Sequence, residues 1–279
     1  VNGDNGKVQL PHPDFIEDVY AGMPLLYGDG ELQFEVVEKR THSLIVEAKV
    51  EGLIESRKGI MAPTAKLKLS AITEKDRKDI EFALTKQPDY MALSFVRSAE
   101  DIRQLRWLIN YLGNEQRVGV IAKVEKHEAL DAIVDIIDIC DGIMVARGDL
   151  GLEIPPQNVP LEQKRIIRLC NERSKPVITA TQMLSSMVDA PRPTRAEASD
   201  VYNAIVDGSD AVMLSNETAT GSYPVKAVQI MADIAGIAEN RRTPLHTAFD
   251  RVGSDKDMIS DAISQAAYTI LEYRYVDLI

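Results

Sequence analysis

The chain has 279 residues, 45% hydrophobic and 27% charged, with a formal net charge of −11. That is enough apolar sequence for one large domain and a smaller one. The acidic balance argues against nucleic acid as the main partner, because a phosphate backbone repels it, yet it is compatible with a small phosphorylated substrate in a local basic pocket.

The two cysteines, Cys140 and Cys170, lack metal-type spacing and fit a reducing compartment as small buried hydrophobes. The four histidines are scattered, which suggests no His-based metal site. No apolar run reaches the ~18–20 residues of a bilayer span, so no membrane partner is expected. The stretch 133–140 comes nearest and is broken by Asp135 and Asp138. The start shows no signal-peptide pattern, and Val1 is not Met, so the opening reads as the middle of something longer.

Residues 1–68 read as short strands bounded by turn signals, such as Leu32–Val37 and Leu44–Val50, with Gly28-Asp29-Gly30 placed where a hairpin turn belongs. A small β-barrel or sandwich is expected there. Near Ala71 the texture changes to alternating helix and strand patterns. Helices are expected over Thr73–Leu84, Ser98–Ile109, Glu128–Ile137, Leu161–Arg173, Thr194–Val206 and Val225–Ala238. Three of them open on a hydroxyl followed three residues later by a carboxylate, at Thr73/Asp76, Ser98/Asp101 and Thr194/Glu197. Strands are expected over Tyr90–Val96, Val118–Val124, Gly142–Ala146, Pro176–Ala180 and Asp210–Leu214. They are solid apolar runs, as strands buried on both faces are.

Five strand–helix units result, with strand starts about 24 to 35 residues apart, close to the ~31 per unit of a (β/α)₈ barrel. The expected fold is therefore α/β: a TIM-type barrel with about five of eight units present, over residues 69–240, and a doubly wound sheet as its rival. Residues 241–257 read as a linker, and an amphipathic helix starts at Met258 within a further segment, 258–279.

In parallel α/β folds the site lies at the C-terminal ends of the strands. Lys123-Val124-Glu125 ends one strand, and period two puts Lys123 and Glu125 on one face, a cation for phosphate beside a carboxylate for metal. Arg147-Gly148-Asp149 ends the next; Gly148 lets backbone N–H groups approach a ligand, and Asp149 adds a hard oxygen. Two carboxylates from adjacent strands suit Mg²⁺, which leaves its other positions to substrate oxygens and water. An adhesion reading of Arg-Gly-Asp would need an exposed loop in a secreted protein. Thr179 and Thr181 share a face at the next strand end, and Ser215-Asn216-Glu217 follows the last strand. Each signal alone is also compatible with structural ion pairs or β-branched strand residues; their succession on one rim favours a functional site.

These residues carry a resemblance. Val120-Ile121-Ala122-Lys123-Val124-Glu125, Met144-Val145-Ala146-Arg147-Gly148-Asp149-Leu150-Gly151, residues 180–187, Pro193-Thr194-Arg195-Ala196-Glu197 and residues 213–219 together resemble the signatures of the pyruvate kinase family over roughly residues 70–240. Residues 1–68 resemble its small β lid domain, and 258–279 the opening of its C-terminal regulatory α/β domain. Three places depart from the family pattern: Gly59-Ile60-Met61-Ala62-Pro63, Tyr27-Gly28-Asp29-Gly30, and Asn216 where glycine is usual.

The resemblance implies phosphoryl transfer from phosphoenolpyruvate to ADP, giving pyruvate and ATP, with Mg²⁺ (or Mn²⁺) and K⁺. It implies that Lys123 stabilises the phosphoryl in flight, that Glu125 and Asp149 hold the divalent metal, and that Arg147 and the Gly148–Asp149 backbone bind substrate. Thr181 would contact substrate, Ser215 would serve a proton relay, and Lys58 would lie on the nucleotide side. A homotetramer in the cytoplasm, ahead of the plastid, is implied for the full-length form. The family's first three barrel strands and most of its C-terminal domain have no counterpart in these residues, so this chain alone is expected to be unstable or inactive. The alternatives are a Mg²⁺-dependent pyruvate lyase or aldolase on a related barrel, and a truncated, non-catalytic paralogue that binds full-length subunits.

Overall fold

The structure is a computed structural model. It describes residues 6–10, 13–28, 30–55, 58–63, 65, 71–112 and 117–240, with Ile263 and Ala266. The chain divides into two units, Val1–Asn240 and Arg241–Ile279. Of the second only Ile263 and Ala266, both helical, are described; the expected linker over 241–257 and the rest of the helix expected from Met258 lie outside the described residues.

The first unit begins with a short helix, α1 (Pro13–Asp18), and an antiparallel sheet of β1 (Pro24–Tyr27), β2 (Leu32–Arg40), β3 (Ser43–Ala48) and β4 (Ile60–Met61) in the order β3-β2-β1-β4. Phe15, Val19, Leu25, Val36, Ala62 and Ala65 form its small core. The hairpin expected at 28–30 joins β1 to β2, with positive φ at Gly28 (62°) and Gly30 (85°), a conformation only glycine takes without strain. A side chain at Gly30 would come within 2.9 Å of Leu152 Cδ2, so glycine also permits the close approach of this turn to the parallel part of the chain.

Five parallel strands follow in sequential order: β5 (Tyr90–Leu93), β6 (Gly119–Val124), β7 (Gly142–Ala146), β8 (Val177–Ala180) and β9 (Ala211–Met213). The helices around them are α2 (Glu74–Leu84), before β5; α3 (Ala99–Tyr111), α4 (His127–Asp131), α5 (Ile133–Ile139), α6 (Arg147–Glu153), α7 (Val159–Glu172) and α8 (Arg195–Val206), between the strands; and α9 (Asn216–Ala219) and α10 (Pro224–Glu239), after β9. The alternation read from the sequence is thus the alternation found. Thr73 and Thr194 accept from the Asp76 and Glu197 N–H groups, with both boxes closed by the carboxylates in return. All five residues of β7 are buried. One core cluster runs from Leu93 and Ile102 through Val120, Val124, Ile136 and Val145 to Ile166 and Val177. A second, with Met183, Met187, Val201 and Met231, lies under α8 and α10. No helix among the described residues is long and apolar enough to cross a membrane.

Three local expectations need correction. The strand expected over 90–96 stops at Leu93, because Phe95 takes a left-handed φ of 55°, which an extended strand cannot hold. The helix expected over 128–137 is two helices, broken where Ala132 leaves helical geometry (ψ 12°) and lets Ile133, Ile136 and Ile137 turn into the core. Arg147-Gly148-Asp149, read as a strand end, opens a helix instead, held down by fully buried Leu150.

Two aspartates set the strand register at the opposite ends of the strands. The Asp141 N–H donates to Val120 O (2.8 Å), and Asp141 Oδ2 accepts from the Val120 N–H (2.8 Å). Asp210 treats Val177 in the same way, at 2.9 and 2.8 Å.

Candidate active site

The strand ends gather polar groups around one buried carboxylate. Glu125, directly after β6, is 1% exposed. Its Oε1 lies 2.5 Å from Lys123 Nζ, and its Oε2 accepts the Phe95 N–H at 2.7 Å. The positive φ at Phe95 turns that N–H toward the carboxylate. Lys123 also donates to Ser94 Oγ at 2.9 Å and stays one-quarter exposed, so part of its charge faces solvent. Burial pushes the Glu125 carboxyl above its ordinary range, against the Lys123 hydrogen bond and charge and the Phe95 N–H; the negative charge of Asp149 pushes it further up. Two carboxylates that feel each other's charge, one directly after β6 and one in the first turn of α6, with hard oxygens only, fit a divalent cation such as Mg²⁺.

Asp149 lies in the first turn of α6, beside Gly148. The Gly148 N–H donates to Thr181 Oγ1 at 2.7 Å, and Thr181 Oγ1 donates to Ala180 O at 2.7 Å. A Cβ at Gly148 would sit 3.4 Å from Thr181 Oγ1, in ordinary contact, so it is the Gly148 N–H bond that ties α6 to the end of β8. Thr181 and Gln182 both have left-handed backbones, φ 67° and 53°. Arg147 braces them: its Nη2 donates to Thr181 O (2.8 Å) and Gln182 O (3.3 Å), while Nη1 reaches Asp200 (2.6 Å) and Gln163 (3.2 Å). The substrate-facing guanidinium expected at Arg147 is committed to these protein groups.

Ser215 precedes α9, and its N–H donates to Glu217 Oε2 at 2.7 Å. Glu217, 2% exposed, also accepts the Leu184 N–H at 3.1 Å and so ties the end of β9 to the segment after β8. Lys58 lies before β4 on the antiparallel sheet, exposed, 3.8 Å from Glu55. Thr179, on β8, is fully buried, its Oγ1 2.7 Å from Ser209 Oγ; Thr181 lies past the end of β8 with a left-handed backbone and meets Gly148 instead, so the shared face expected for the two threonines is not formed.

The sequence reading missed Ser94 and Phe95, which make β5 a fifth contributor, and the structural work of Glu217. A serine directly after an apolar strand was the available signal for Ser94; the left-handed backbone at Phe95 left none. It also passed over a group behind the strand ends, formed by Lys126, His127, Glu128 and Glu153. Glu153 Oε1 lies 2.5 Å from Lys126 Nζ, and Oε2 3.1 Å from His127 Nδ1.

Fold and strand ends define a parallel α/β protein with a centre of lysine, paired carboxylates and hydroxyls. The profile of a family described as "Pyruvate kinase, barrel domain" matches residues 1–228. A pyruvate kinase of Clostridium perfringens is 45% identical over 267 residues, covering 95% of this chain and 56% of that protein. One of Agrobacterium vitis is 51% identical over 235 residues, covering 84% of this chain and 48% of its own length. The crystal structure of a pyruvate kinase from Cryptosporidium parvum superposes with a TM-score of 0.84 at 36% identity, covering 92% of this chain and 55% of that one. The chain belongs to the pyruvate kinase family, and it spans about half the length of the curated relatives it matches.

Proposed function

We propose that this chain carries the chemical centre of a pyruvate kinase, which moves the phosphoryl group of phosphoenolpyruvate to ADP and yields pyruvate and ATP. The observation that carries the reading is Lys123 beside buried Glu125, next to Asp149 and Thr181 at one end of a parallel sheet, in a chain of this family. The bond from phosphorus to the enol oxygen breaks as one forms to a β-phosphate oxygen of ADP, and C3 of the enolate then takes a proton.

Lys123 Nζ sets a positive charge beside the phosphoryl in flight, where preorganised charge lowers the barrier most. Glu125 and Asp149 hold Mg²⁺ or Mn²⁺, which when bound supplies charge to the phosphate and enolate oxygens. The backbone at Gly148 and Asp149 receives the substrate carboxylate, the Gly148 N–H by exchanging its bond to the Thr181 hydroxyl for one to substrate. Ser215 serves the proton relay, Lys58 faces the nucleotide, and K⁺ completes the ion requirement. Arg147 serves substrate indirectly, by holding Thr181. The parallel sheet is read as five consecutive units of a TIM-type barrel, the antiparallel sheet as its lid, and the working form as a cytoplasmic homotetramer.

The test is ATP synthesis from phosphoenolpyruvate and ADP by the full-length protein with Mg²⁺ and K⁺. Lys123→Met should lower kcat by ~10²–10³-fold, as loss of one preorganised transition-state partner does. Turnover undiminished in that variant would overturn the assignment of Lys123, and no turnover by the wild type would overturn the whole reading.

A further inference from the structure

The parallel pairing of β6 and β7 ends at Val124↔Val145, and of β7 and β8 at Ala146↔Ala180. Glu125 and Asp149 both lie beyond the last β6–β7 pair, so no ladder hydrogen bond fixes one against the other. A side-chain contact does so instead. Glu153 closes α6, four residues after Asp149 and so on the same helix face. Its side chain is 1% exposed, and each oxygen takes one partner: Lys126 at 2.5 Å and His127 at 3.1 Å. Lys126 is the residue after Glu125, and His127 opens α4. The two segments that bear the carboxylates are therefore bolted together one helical turn behind them.

A buried ion pair is a poor device for stability, because desolvation offsets most of its attraction. Here the lysine side chain is 12% exposed and the glutamate almost fully enclosed. What such a pair does well is fix geometry. His127, Glu128 and Glu153 do offer three ligand atoms within 4.8 Å of one another, but the Lys126 ammonium already supplies the cation at Glu153.

We infer that Glu153 is a positioning residue: by gripping Lys126 and His127 it sets the separation of Glu125 and Asp149 and thereby the affinity for the divalent cation. The inference rests on the pyruvate kinase reading of those two carboxylates. Partners behind metal ligands are worth about 10–100-fold in metal affinity.

Mn²⁺ binding to the full-length protein, followed by the electron paramagnetic resonance of free Mn²⁺, tests it. Glu153→Gln, which keeps the shape of the side chain, should weaken the Mn²⁺ dissociation constant by about 10–100-fold. It should raise the Mn²⁺ activation constant equally and leave kcat at saturating Mn²⁺ within about threefold of wild type. Glu153→Asp, which keeps the charge but draws it back by one methylene, should fall between. Lys126→Met probes the same contact from the other side, should Glu153→Gln not fold. Folded variants that bind Mn²⁺ as tightly as wild type would overturn the inference. So would a wild type that binds two Mn²⁺ per chain and loses one in Glu153→Gln, since the group would then be a cation site itself. A wild type that binds no Mn²⁺ would instead overturn the underlying functional reading.

Discussion

At the scale of single residues, backbone strain among the described residues is concentrated at the end of β8. Thr181 and Gln182 are consecutive non-glycine residues with left-handed backbones, a conformation that costs on the order of 1–3 kcal/mol each and persists only when the surroundings over-determine it. Arg147 supplies that determination through the two carbonyls, and the Gly148 N–H supplies more through the Thr181 hydroxyl. The planar fork of arginine can serve Thr181, Gln182, Gln163 and Asp200 at once; a lysine ammonium cannot. Arg147→Lys should therefore misplace Thr181 and lower kcat by up to about 100-fold, the effect expected of a small displacement of a reacting group. Mn²⁺ affinity should hold, because Glu125 and Asp149 are untouched. Steady-state kinetics beside Mn²⁺ titration of the full-length protein checks both parts, and an unchanged kcat would refute the bracing role.

At the scale of elements, strands were legible because β6, β7 and β8 are short, mostly apolar runs, broken only by Lys123 and Thr179, and helix starts because Thr73 and Thr194 carry their carboxylates three residues on. Lys123 and Glu125 were legible because alternation places them on one face of β6. What stayed hidden was non-local. Nothing in Gly148 or Gly151 suggests a helix; α6 forms because Leu150 finds the core. The grip of Glu153 on Lys126 spans 27 residues of chain and has no local signature. The aspartates at the far ends of the strands were likewise hidden, although they recur at the same structural place before β7 and β9. Each binds both the N–H and the C=O of one residue on the preceding strand, so each pins a parallel register. Asp141→Ala and Asp210→Ala should each cost about 0.5–1.5 kcal/mol, the net value of such a bond. Asp141 adds a pH signature. Burial raises its carboxyl, but the Val120 N–H, the hydrogen bond and charge of Arg106, and the charge of Arg117 together hold it below the ordinary range. Its contribution is thus present above the ordinary aspartate pKa and is lost as pH falls from there through the lowered folded value. Thermal unfolding of the full-length protein from neutral to acid pH should show a shallower acid limb in Asp141→Ala than in wild type, and identical limbs would remove Asp141 from the account.

At the scale of the molecule, the chain combines an acidic whole with a basic point. The net charge is −11, yet Lys123 at the end of β6 and Arg147 at the start of α6 are each tied to a carboxylate, Glu125 and Asp200, that holds it in place. What keeps that point rigid is the continuous core from β5 to β8, and the two cysteines sit inside it. Cys140 and Cys170 are both fully buried members of the same cluster. Burial pushes the Cys140 thiol up, and it pushes the Cys170 thiol, with smaller help from the charges of Cys140 and Asp210, up to about 12. The thiolate is the reactive form, so neither thiol can react until the core opens, and both then report the same event. If the core opens as one cooperative unit, a thiol reagent applied to the full-length native protein should label Cys140 and Cys170 slowly and at the same rate. Both should label at once in denaturant. Peptide mass mapping over time reads each site separately. Rapid labelling of either cysteine in the native protein would show that the core between β6 and β8 opens locally rather than as one unit.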